Sequence, residues 1–216
     1  MSCILATMRS IRDPATGELR DSLSRDWSSY LDDHGITVIP VANTHTDPST
    51  VVEDVTPDAL VLTNGEDIGS HRPRDRTERA LIDSVVEEGI PVLGVCRGHQ
   101  FVNSYYGGDI VAVEEHVDHG AHAGTEHGMR IEEEPFRSMV GESLTVNSYH
   151  DMGVTPEGVA PPLEQYAFAD GGRIVEGLYH PDRPVLTIQW HPERPLPDRE
   201  PLDRLVTRFL EGEFTW

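Results

Sequence analysis

A cysteine lies in the segment GVCRG at residues 94–98, where an apolar strand pattern at residues 91–95 changes directly into a helical one. This strand–turn–helix arrangement is typical of a nucleophile elbow, here with cysteine in the nucleophile's place. The flanking glycines would allow a tight turn, and a helix N-terminus favours the thiolate, which is the reactive form. We therefore predict that Cys96 is a nucleophile for acyl transfer. The alternative is a buried structural cysteine with incidental glycines.

A histidine and a glutamate follow another apolar strand pattern, in the segment QWHPE at residues 189–193. A thiolate nucleophile needs an imidazole that takes and returns a proton, and the imidazole needs a third group that orients it. Residues two apart in an extended segment face the same side, so the Glu193 carboxylate can reach His191. A lone His-x-Glu is common and mostly structural. Together with the cysteine turn, it predicts a catalytic triad of Cys96, His191 and Glu193.

The segment NGED at residues 64–67 ends a third apolar strand pattern. In a parallel sheet this loop and the cysteine turn open on the same edge, where ligands bind. A glycine there can present a bare backbone N–H to a developing oxyanion, so we predict that the N–H groups of Gly65 and Arg97 form an oxyanion hole. Taken alone, the segment also fits an ordinary strand-ending turn.

The elements that must position these residues alternate along the first half of the chain. Strands are predicted at residues 3–8, 36–41, 59–63 and 91–95, and helices at residues 18–34, 74–88 and 98–106. Strands buried on both faces and separated by helices imply an α/β protein. We predict a three-layer sandwich around a central, mostly parallel sheet.

The second half has the pattern of strands joined by turns. Strands are predicted at residues 110–113, 127–131, 143–147, 165–169, 174–179 and 185–189, with a final helix at residues 202–211. Gly171 and Gly172 suggest a hairpin. These strands should extend the sheet with antiparallel strands. Because there is no internal repeat or low-complexity linker, residues 1–216 are expected to form a single domain.

The motifs together resemble those of the class I glutamine amidotransferase superfamily. The segments NGED, LGVCRGHQ, VNSYH and QWHPE occur in that family's order and spacing, over roughly residues 36–194. The resemblance implies a flavodoxin-like fold and no cofactor. It also implies that Cys96 attacks a γ-carboxamide to give a γ-glutamyl thioester, that His191 is the acid and base, and that Glu193 orients it. Asn64 stands where many members have glycine, which should be harmless because the next glycine donates the N–H.

The resemblance also implies residues for the substrate. Gly65 and Arg97 would form the oxyanion hole, as the loop position already suggests. The two charged ends of the glutamyl group would be held by Gln100 and by the backbone of Ser148, Tyr149 and His150.

Arginine directly after the cysteine, with Arg74, Asp75 and Glu78 upstream, is similar to the γ-glutamyl hydrolase branch, peptidase family C26. The resemblance to this branch implies a hydrolase that cleaves a γ-glutamyl amide bond and releases glutamate. Candidate substrates are γ-glutamyl-CDP-amidate and other γ-glutamyl amines such as γ-glutamyl-GABA.

Two groups of arginines should lie near the sheet edge that carries the cysteine. The planar guanidinium fork binds two phosphate oxygens at once, so they would suit a pyrophosphate group. Pairing with the abundant carboxylates is the alternative. The two groups are Arg9 with Arg12, and Arg72 with Arg74 and Arg76.

The chain is strongly acidic, with 38 Asp and Glu residues against 17 basic ones and a net charge of −21, and every basic residue is arginine. Carboxylates spread among apolar segments indicate a solvated surface suited to high salt, as in halophilic proteins. The charge argues against nucleic acid or an anionic membrane as a partner. Without lysine there can be no Schiff base. Two cysteines, and no signal peptide or membrane-spanning run, predict a cytoplasmic protein.

Residues 114–128 are rich in glycine, histidine and acid, and we predict a mobile loop over the active site. Irregular spacing and the glycine content argue against a metal site, so no metal is predicted. The residues that suggested one are Glu114, Glu115, His116, Asp118, His119, His122, Glu126 and His127.

Three functions remain open at this point. The first is a self-contained hydrolase of a small-molecule γ-glutamyl amide. The second is a glutaminase subunit that supplies ammonia to a separate synthase, and the third is a non-catalytic binding module of the same fold. A homodimer or a complex with a synthase subunit is compatible with the sequence.

Overall fold

The computed structural model describes residues 2–117, 122–214 and 216. Its described part contains thirteen strands and six helices. The strands are β1 (Ser2–Thr7), β2 (Arg9–Arg12), β3 (Leu19–Ser22), β4 (Ile36–Val41), β5 (Ala59–Leu62), β6 (Val92–Val95), β7 (Val111–Ala112), β8 (Ala123–Ile131), β9 (Ser143–Tyr149), β10 (Met152–Gly153), β11 (Glu164–Ala169), β12 (Ile174–Tyr179) and β13 (Val185–Ile188). The helices are α1 (Arg25–Asp33), α2 (Ser49–Val55), α3 (Arg72–Glu87), α4 (Arg97–Tyr105), α5 (Phe136–Val140) and α6 (Arg199–Leu210).

Nine of these strands form one sheet, in the order β4-β1-β5-β6-β13-β12-β11-β8-β9. The first five are parallel to their neighbours. From β13 onward each strand is antiparallel to the next. The predicted α/β fold, with a mostly parallel central sheet extended by antiparallel strands, is confirmed.

Helices cover both faces of the parallel half, which explains why every residue of β5, β6 and β13 is buried. Successive side chains of a strand point to opposite faces. In β5, accordingly, Ala59 and Val61 belong to one core cluster, and Leu60 and Leu62 to the other. Helices α1 and α6 contribute to the first cluster and helices α2, α3 and α4 to the second, which gives three layers.

The predicted helix at residues 18–34 is wrong in its first third. Residues Leu19–Ser22 form β3, which pairs with β2 in a two-stranded hairpin. Helix α1 begins only after Ser24, whose side chain accepts a hydrogen bond from the Asp26 N–H as an N-cap. Leu19, which matched the helical pattern, is 49% exposed, so its apolar character does not mark a buried helix face.

The predicted loop at residues 114–128 is also wrong in part. Strand β8 begins at Ala123 and pairs with β9 from Thr125 opposite Ser148 to Arg130 opposite Ser143. Pairing with a neighbouring strand satisfies the backbone groups of a segment whose glycine content alone favours a loop. Asp118 and His119 lie outside the described residues.

None of the helices in the described ranges is both long and apolar enough to cross a membrane.

Candidate active site

Cys96 occupies the junction between β6 and α4 with φ 54° and ψ −104°. A non-glycine residue with positive φ costs on the order of 1–3 kcal/mol and persists only where its surroundings enforce it. Two backbone hydrogen bonds do so here, from the Cys96 N–H to the Ile188 carbonyl at 2.9 Å and from the Gln100 N–H to the Cys96 carbonyl at 3.2 Å. The turn therefore has the strained geometry expected of a nucleophile elbow.

The two glycines around the cysteine are required by close packing. A Cβ atom at Gly94 would lie 2.6 Å from the Gly98 carbonyl oxygen. A Cβ atom at Gly98 would lie 2.1 Å from the carbonyl oxygen of Leu62, in the neighbouring strand. Since these contacts are with backbone atoms, which cannot move aside, any larger residue would displace helix α4 from the sheet.

His191 follows β13, and its ring is buried beside Glu193. The distance from His191 Nδ1 to Glu193 Oε1 is 2.8 Å, and both side chains are almost completely buried. A carboxylate at this nitrogen holds the ring in one orientation and leaves Nε2 for another partner. The structure thus brings together the two residues of the predicted acid–base pair.

The other ring nitrogen of His191 lies towards Cys96. Nε2 is buried and has no complete hydrogen bond to any residue that the structure describes. Burial by itself lowers the pKa of His191, but the interactions with Cys96 and then with Glu193 outweigh it and raise the pKa to about 9. The cysteine is therefore close enough to influence the ring electrostatically. A protonated ring in this place stabilises a thiolate.

Asn147 holds the backbone of this turn, a role that was not predicted from the sequence. Its Oδ1 accepts from the His191 N–H at 2.8 Å, and its Nδ2 donates to the carbonyls of His191 at 2.9 Å and Pro195 at 2.8 Å. The signal was present, because Asn147 belongs to the VNSYH motif, whose other residues were assigned to the substrate.

The predicted oxyanion loop is held by Arg74, which lies beneath it. Its guanidinium donates to the carbonyls of Thr63 at 2.7 Å and Asn64 at 3.2 Å, and it pairs with Glu66 at 3.1 Å. A Cβ atom at Gly65 would lie 2.2 Å from Arg74 Nη1, so the loop has no room for a larger residue. Arg74 is fully buried, so of the two alternatives for this arginine the structure supports pairing with carboxylates and not contact with phosphate.

Asn64, the departure from the family pattern, has a structural partner. The indole Nε1 of Trp27 donates to Asn64 Oδ1 at 3.0 Å. The asparagine thus ties the loop to helix α1.

Arg97 directs its side chain away from the cysteine. The guanidinium pairs with Glu78 and, at 2.5 Å, with Asp75. Glu78 also accepts from Arg74 Nε at 2.9 Å. Burial opposes the charge of Glu78, but Arg74 and then Arg97 outweigh it and hold the pKa of Glu78 below its ordinary value. Only the backbone N–H of Arg97 is left for the predicted oxyanion hole.

The predicted glutamyl-binding residues occupy different environments. Gln100 donates through Nε2 to the Met152 carbonyl at 2.7 Å. Tyr149 is 45% exposed, its ring centroid lies 5.5 Å from that of His191, and the Arg194 guanidinium lies 4.4 Å from it. The side chains of Ser148 and His150 are instead buried against His122, so only their backbone remains for the predicted contact.

The histidines of residues 114–128 do not share one environment. His116 is exposed, whereas His122 is buried and lies with His127, His150 and Glu176 in a compact group that could hold a metal ion. This group lies within the antiparallel half of the sheet and does not form a lid over Cys96.

The fold and this site define the class of protein. A glutamine amidotransferase from Thermotoga maritima has the same fold, with a TM-score of 0.66 at 13% identity over 98% of this chain and 83% of that one. The chain therefore has the α/β fold of that glutamine amidotransferase. The Peptidase C26 family model matches residues 34–193, and the chain belongs to the peptidase C26 family.

Two curated relatives carry different names. The chain is 27% identical over 197 residues to the gamma-glutamyl-CDP-amidate hydrolase of Campylobacter jejuni, a match that covers 87% of this chain and 88% of the relative. It is 32% identical over 169 residues to one subunit of the glutamine-hydrolyzing GMP synthase of Methanosarcina acetivorans, a match that covers 75% of this chain and 78% of the relative. These similarities indicate a hydrolase or an amidotransferase.

Proposed function

We propose that the protein is a hydrolase of γ-glutamyl amides that uses Cys96 as nucleophile, His191 as acid and base, and Glu193 to orient the histidine. The observation that supports this most directly is the buried His191–Glu193 pair, at 2.8 Å, beside a cysteine with a strained backbone at an elbow. A merely structural cysteine would have no need for this backbone conformation or for a protonated imidazole next to it.

In the proposed reaction the Cys96 thiolate attacks the γ-carbonyl carbon of the substrate. The negative charge that develops on the carbonyl oxygen is stabilised by the backbone N–H groups of Gly65 and Arg97. The C–N bond then breaks, His191 gives its proton to the leaving amine, and a γ-glutamyl thioester remains on Cys96. Water attacks this thioester, His191 accepts a proton from the water, and glutamate leaves as the thiolate is restored.

The glutamyl end of the substrate would bind between helix α4 and the turn after β9. Gln100 and the backbone of Ser148, Tyr149 and His150 would hold its amino and carboxylate groups. The Tyr149 ring, which is partly exposed and lies edge-on near His191, would cover the bound glutamyl chain.

As the substrate we propose γ-glutamyl-CDP-amidate or another γ-glutamyl amine such as γ-glutamyl-GABA. The Campylobacter relative covers nearly the whole chain, which favours the first. Among the arginines, Arg9, Arg12, Arg72 and Arg76 lie at least partly exposed. The Cβ atom of Arg9 lies 3.0 Å from the place where a Cβ at Gly65 would stand, so the side chain of this arginine begins beside the proposed oxyanion loop.

A second candidate is a glutaminase subunit that feeds a separate synthase, and the GMP synthase relative favours it. Such a subunit would hydrolyse glutamine and depend on its partner. The non-catalytic binding module is the weakest of the three, because the proposed triad is complete.

The test is a turnover screen of the purified full chain with γ-glutamyl-CDP-amidate, γ-glutamyl-GABA and glutamine. We expect release of glutamate from one of the first two, and Cys96→Ala should lower the rate by at least about 10³-fold. Cys3→Ala is the matched control and should keep full activity, because Cys3 lies in β1 outside the site. Turnover of glutamine alone, and only with a co-purified synthase, would support the second candidate.

An electrophilic glutamine analogue separates the third candidate from the other two. It should label Cys96 and leave Cys3 unmodified, as read by peptide mass. An unlabelled Cys96 in a folded protein would overturn the catalytic proposal.

A further inference from the structure

Three histidines and one glutamate converge inside the antiparallel half of the sheet. His122 precedes β8, His127 lies in β8, His150 follows β9, and Glu176 lies in β12. One nitrogen of each ring and one oxygen of the carboxylate all lie within 4.8 Å of one another. No metal was predicted from the sequence because these residues have no regular spacing, but the sheet brings them together from three strands.

Four of the six separations within this group are close to those of ligands around a single ion, and the others are at most 4.8 Å. His122 Nδ1 lies 3.1 Å from His150 Nε2, and His127 Nε2 lies 3.5 Å from Glu176 Oε1. The other two inner nitrogens lie 3.9 Å from the same oxygen. An ion with tetrahedral bonds of about 2.0–2.1 Å separates its ligand atoms by about 3.4 Å. The four distances between ligand atoms given above lie on both sides of that value.

The outer nitrogen of each ring already faces an oxygen acceptor. His122 Nε2 lies 2.6 Å from Asp170 Oδ2, and His150 Nδ1 lies 2.9 Å from the Met152 carbonyl. His127 Nδ1 lies 3.3 Å from the Gly128 carbonyl. A carboxylate or carbonyl in this place holds the ring proton on the outer nitrogen, so the inner nitrogens carry lone pairs. Metal-binding histidines have this arrangement.

Proton donors within the group satisfy at most one of these lone pairs, through the 3.1 Å contact between His122 Nδ1 and His150 Nε2, and His127 Nε2 has no hydrogen-bond partner among the described residues. The Ser148 hydroxyl lies 3.1 Å from His122 Nδ1, but it donates its proton to the His122 carbonyl at 2.8 Å. Neither carboxylate oxygen of Glu176 has a hydrogen-bond partner among the residues that the structure describes. A fully buried carboxylate and three imidazole lone pairs therefore face one another.

A proton on Glu176 would not resolve this arrangement. Burial, with Asp170 as a second cause, raises the pKa of Glu176 to about 8, so the carboxyl group readily takes a proton. That proton could reach only one ring, and even the shortest carboxylate-to-nitrogen separation, 3.5 Å, exceeds a normal hydrogen bond. The two inner nitrogens that stand 3.1 Å apart can share one further proton, but one oxygen of Glu176 would still lack a partner. One divalent ion satisfies all four groups.

We propose that His122 Nδ1, His127 Nε2, His150 Nε2 and a carboxylate oxygen of Glu176 bind one Zn²⁺ ion. Imidazole nitrogens with one carboxylate suit zinc, and four protein ligands in tetrahedral geometry are typical of a structural site. The His122, His150 and Glu176 side chains are almost fully buried, and His127, which is 12% exposed, lies at the entry side.

The ion would support the turn that follows β9. His150 is the last residue of the VNSYH motif, and the Met152 carbonyl accepts hydrogen bonds from both His150 Nδ1 and Gln100 Nε2. Zinc would thus fix the turn to β8, to β12 and to helix α4 at the same time. This consequence for the substrate rests on the proposed function, whereas the binding of zinc does not. If both hold, removal of zinc should raise KM for the γ-glutamyl substrate more than it lowers kcat.

The test is the metal content of the full chain, produced without a histidine tag and analysed by mass spectrometry. We expect about one Zn²⁺ per chain in the wild type, as for a site that binds tightly when preformed. Glu176→Gln and His122→Ala should weaken zinc affinity by at least about 10-fold. His45→Ala is the matched control, because His45 is exposed and follows β4 at the opposite edge of the sheet. It should bind zinc like the wild type.

If a variant fails to fold, the test uses wild-type protein from which a chelator has removed the metal. Addition of Zn²⁺ should raise its melting temperature, and Co²⁺ should give the intense visible absorption of a four-coordinate ion. Folded wild type that takes up no zinc, or equal zinc in wild type and Glu176→Gln, would overturn the inference. Cys96→Ala should bind zinc normally, so a protein that binds zinc but hydrolyses no γ-glutamyl amide would refute the proposed function alone.

Discussion

Two buried glutamates, one in each half of the molecule, have opposite surroundings. Glu78, beneath the parallel half, is paired with Arg74 and Arg97, which outweigh its burial and keep its pKa below the ordinary value. Glu176, in the antiparallel half, faces three histidine rings and no arginine, and burial raises its pKa to about 8. Both side chains are completely buried. The comparison shows that a buried carboxyl group stays ionised only beside a counter-charge: arginines supply it for Glu78, whereas Glu176 without a cation keeps its proton up to about pH 8.

The largest expected difference between the two glutamates is in how much the protein loses stability when each is removed. Glu78→Ala leaves two buried guanidinium groups without their shared carboxylate, and we expect it to lower the free energy of unfolding by about 3–5 kcal/mol. Glu176→Ala in metal-free protein removes a carboxyl group that is protonated at pH 7 and leaves no unpaired charge behind, so it should cost much less. Chemical denaturation at pH 7 measures both, with the exposed Glu53→Ala as control. Equal losses for the two variants would contradict the comparison.

The second difference is in pH dependence, measured on metal-free protein. Between pH 4.5 and about 8 the folded state keeps a proton on Glu176 that the unfolded state has lost, so this group should lower the stability as pH rises, on the order of 5 kcal/mol across the window. Glu78, whose pKa is lowered in the folded state, contributes stability that is lost as pH falls below 4.5. Denaturation curves at several pH values should show that Glu176→Gln removes the first slope and leaves the second.

The third prediction concerns a contact between the halves. Asn147 of β9, in the antiparallel half, holds the turn after β13 that carries His191. Asn147→Ala removes its three hydrogen bonds to that turn. A catalytic group displaced by about 1 Å can cost about 10²-fold in rate, so we expect kcat to fall by about that factor with little change in KM. Steady-state kinetics decides this, and an unchanged kcat would mean that other contacts position the histidine.

The smallest expected effect is a shift in the pH–rate profile. Protonated His191 stabilises the thiolate, so the rate should fall as pH rises through about 9, where the ring loses its proton. Glu193→Gln removes one of the contributions that raise the pKa of His191, so its descending limb should lie at lower pH, by about one unit. A descending limb that does not move would show that Glu193 does not contribute to the pKa of His191.

The sequence predicted local geometry wherever that geometry depends on residues that are neighbours in the chain. The cysteine between two glycines predicted the elbow, and the spacing of His191 and Glu193 predicted the contact that the structure has at 2.8 Å. Strand β12, Ile174–Tyr179, has the predicted bounds. The catalytic roles, the substrate, the single domain, the cytoplasmic location and the adaptation to high salt stay predictions.

Errors arose where distant residues decide the outcome. Leu19 matched a helical period, but its backbone pairs with β2, so it lies in a strand. Residues 123–128 have the composition of a loop, but pairing with β9 makes them a strand. Arg74 was one candidate for phosphate binding because basic residues are few in this acidic chain. Only the structure reveals the carboxylates and carbonyls that surround it.

By itself, the sequence determined the fold class, the family and the local geometry of the cysteine turn, because strand burial, helix periodicity and tight turns depend on residues within a few positions of one another. The tertiary structure alone decided which charges meet. Glu176 lies 54 positions from His122 along the chain, yet their ligand atoms are 3.9 Å apart, because the order of the antiparallel strands sets that distance.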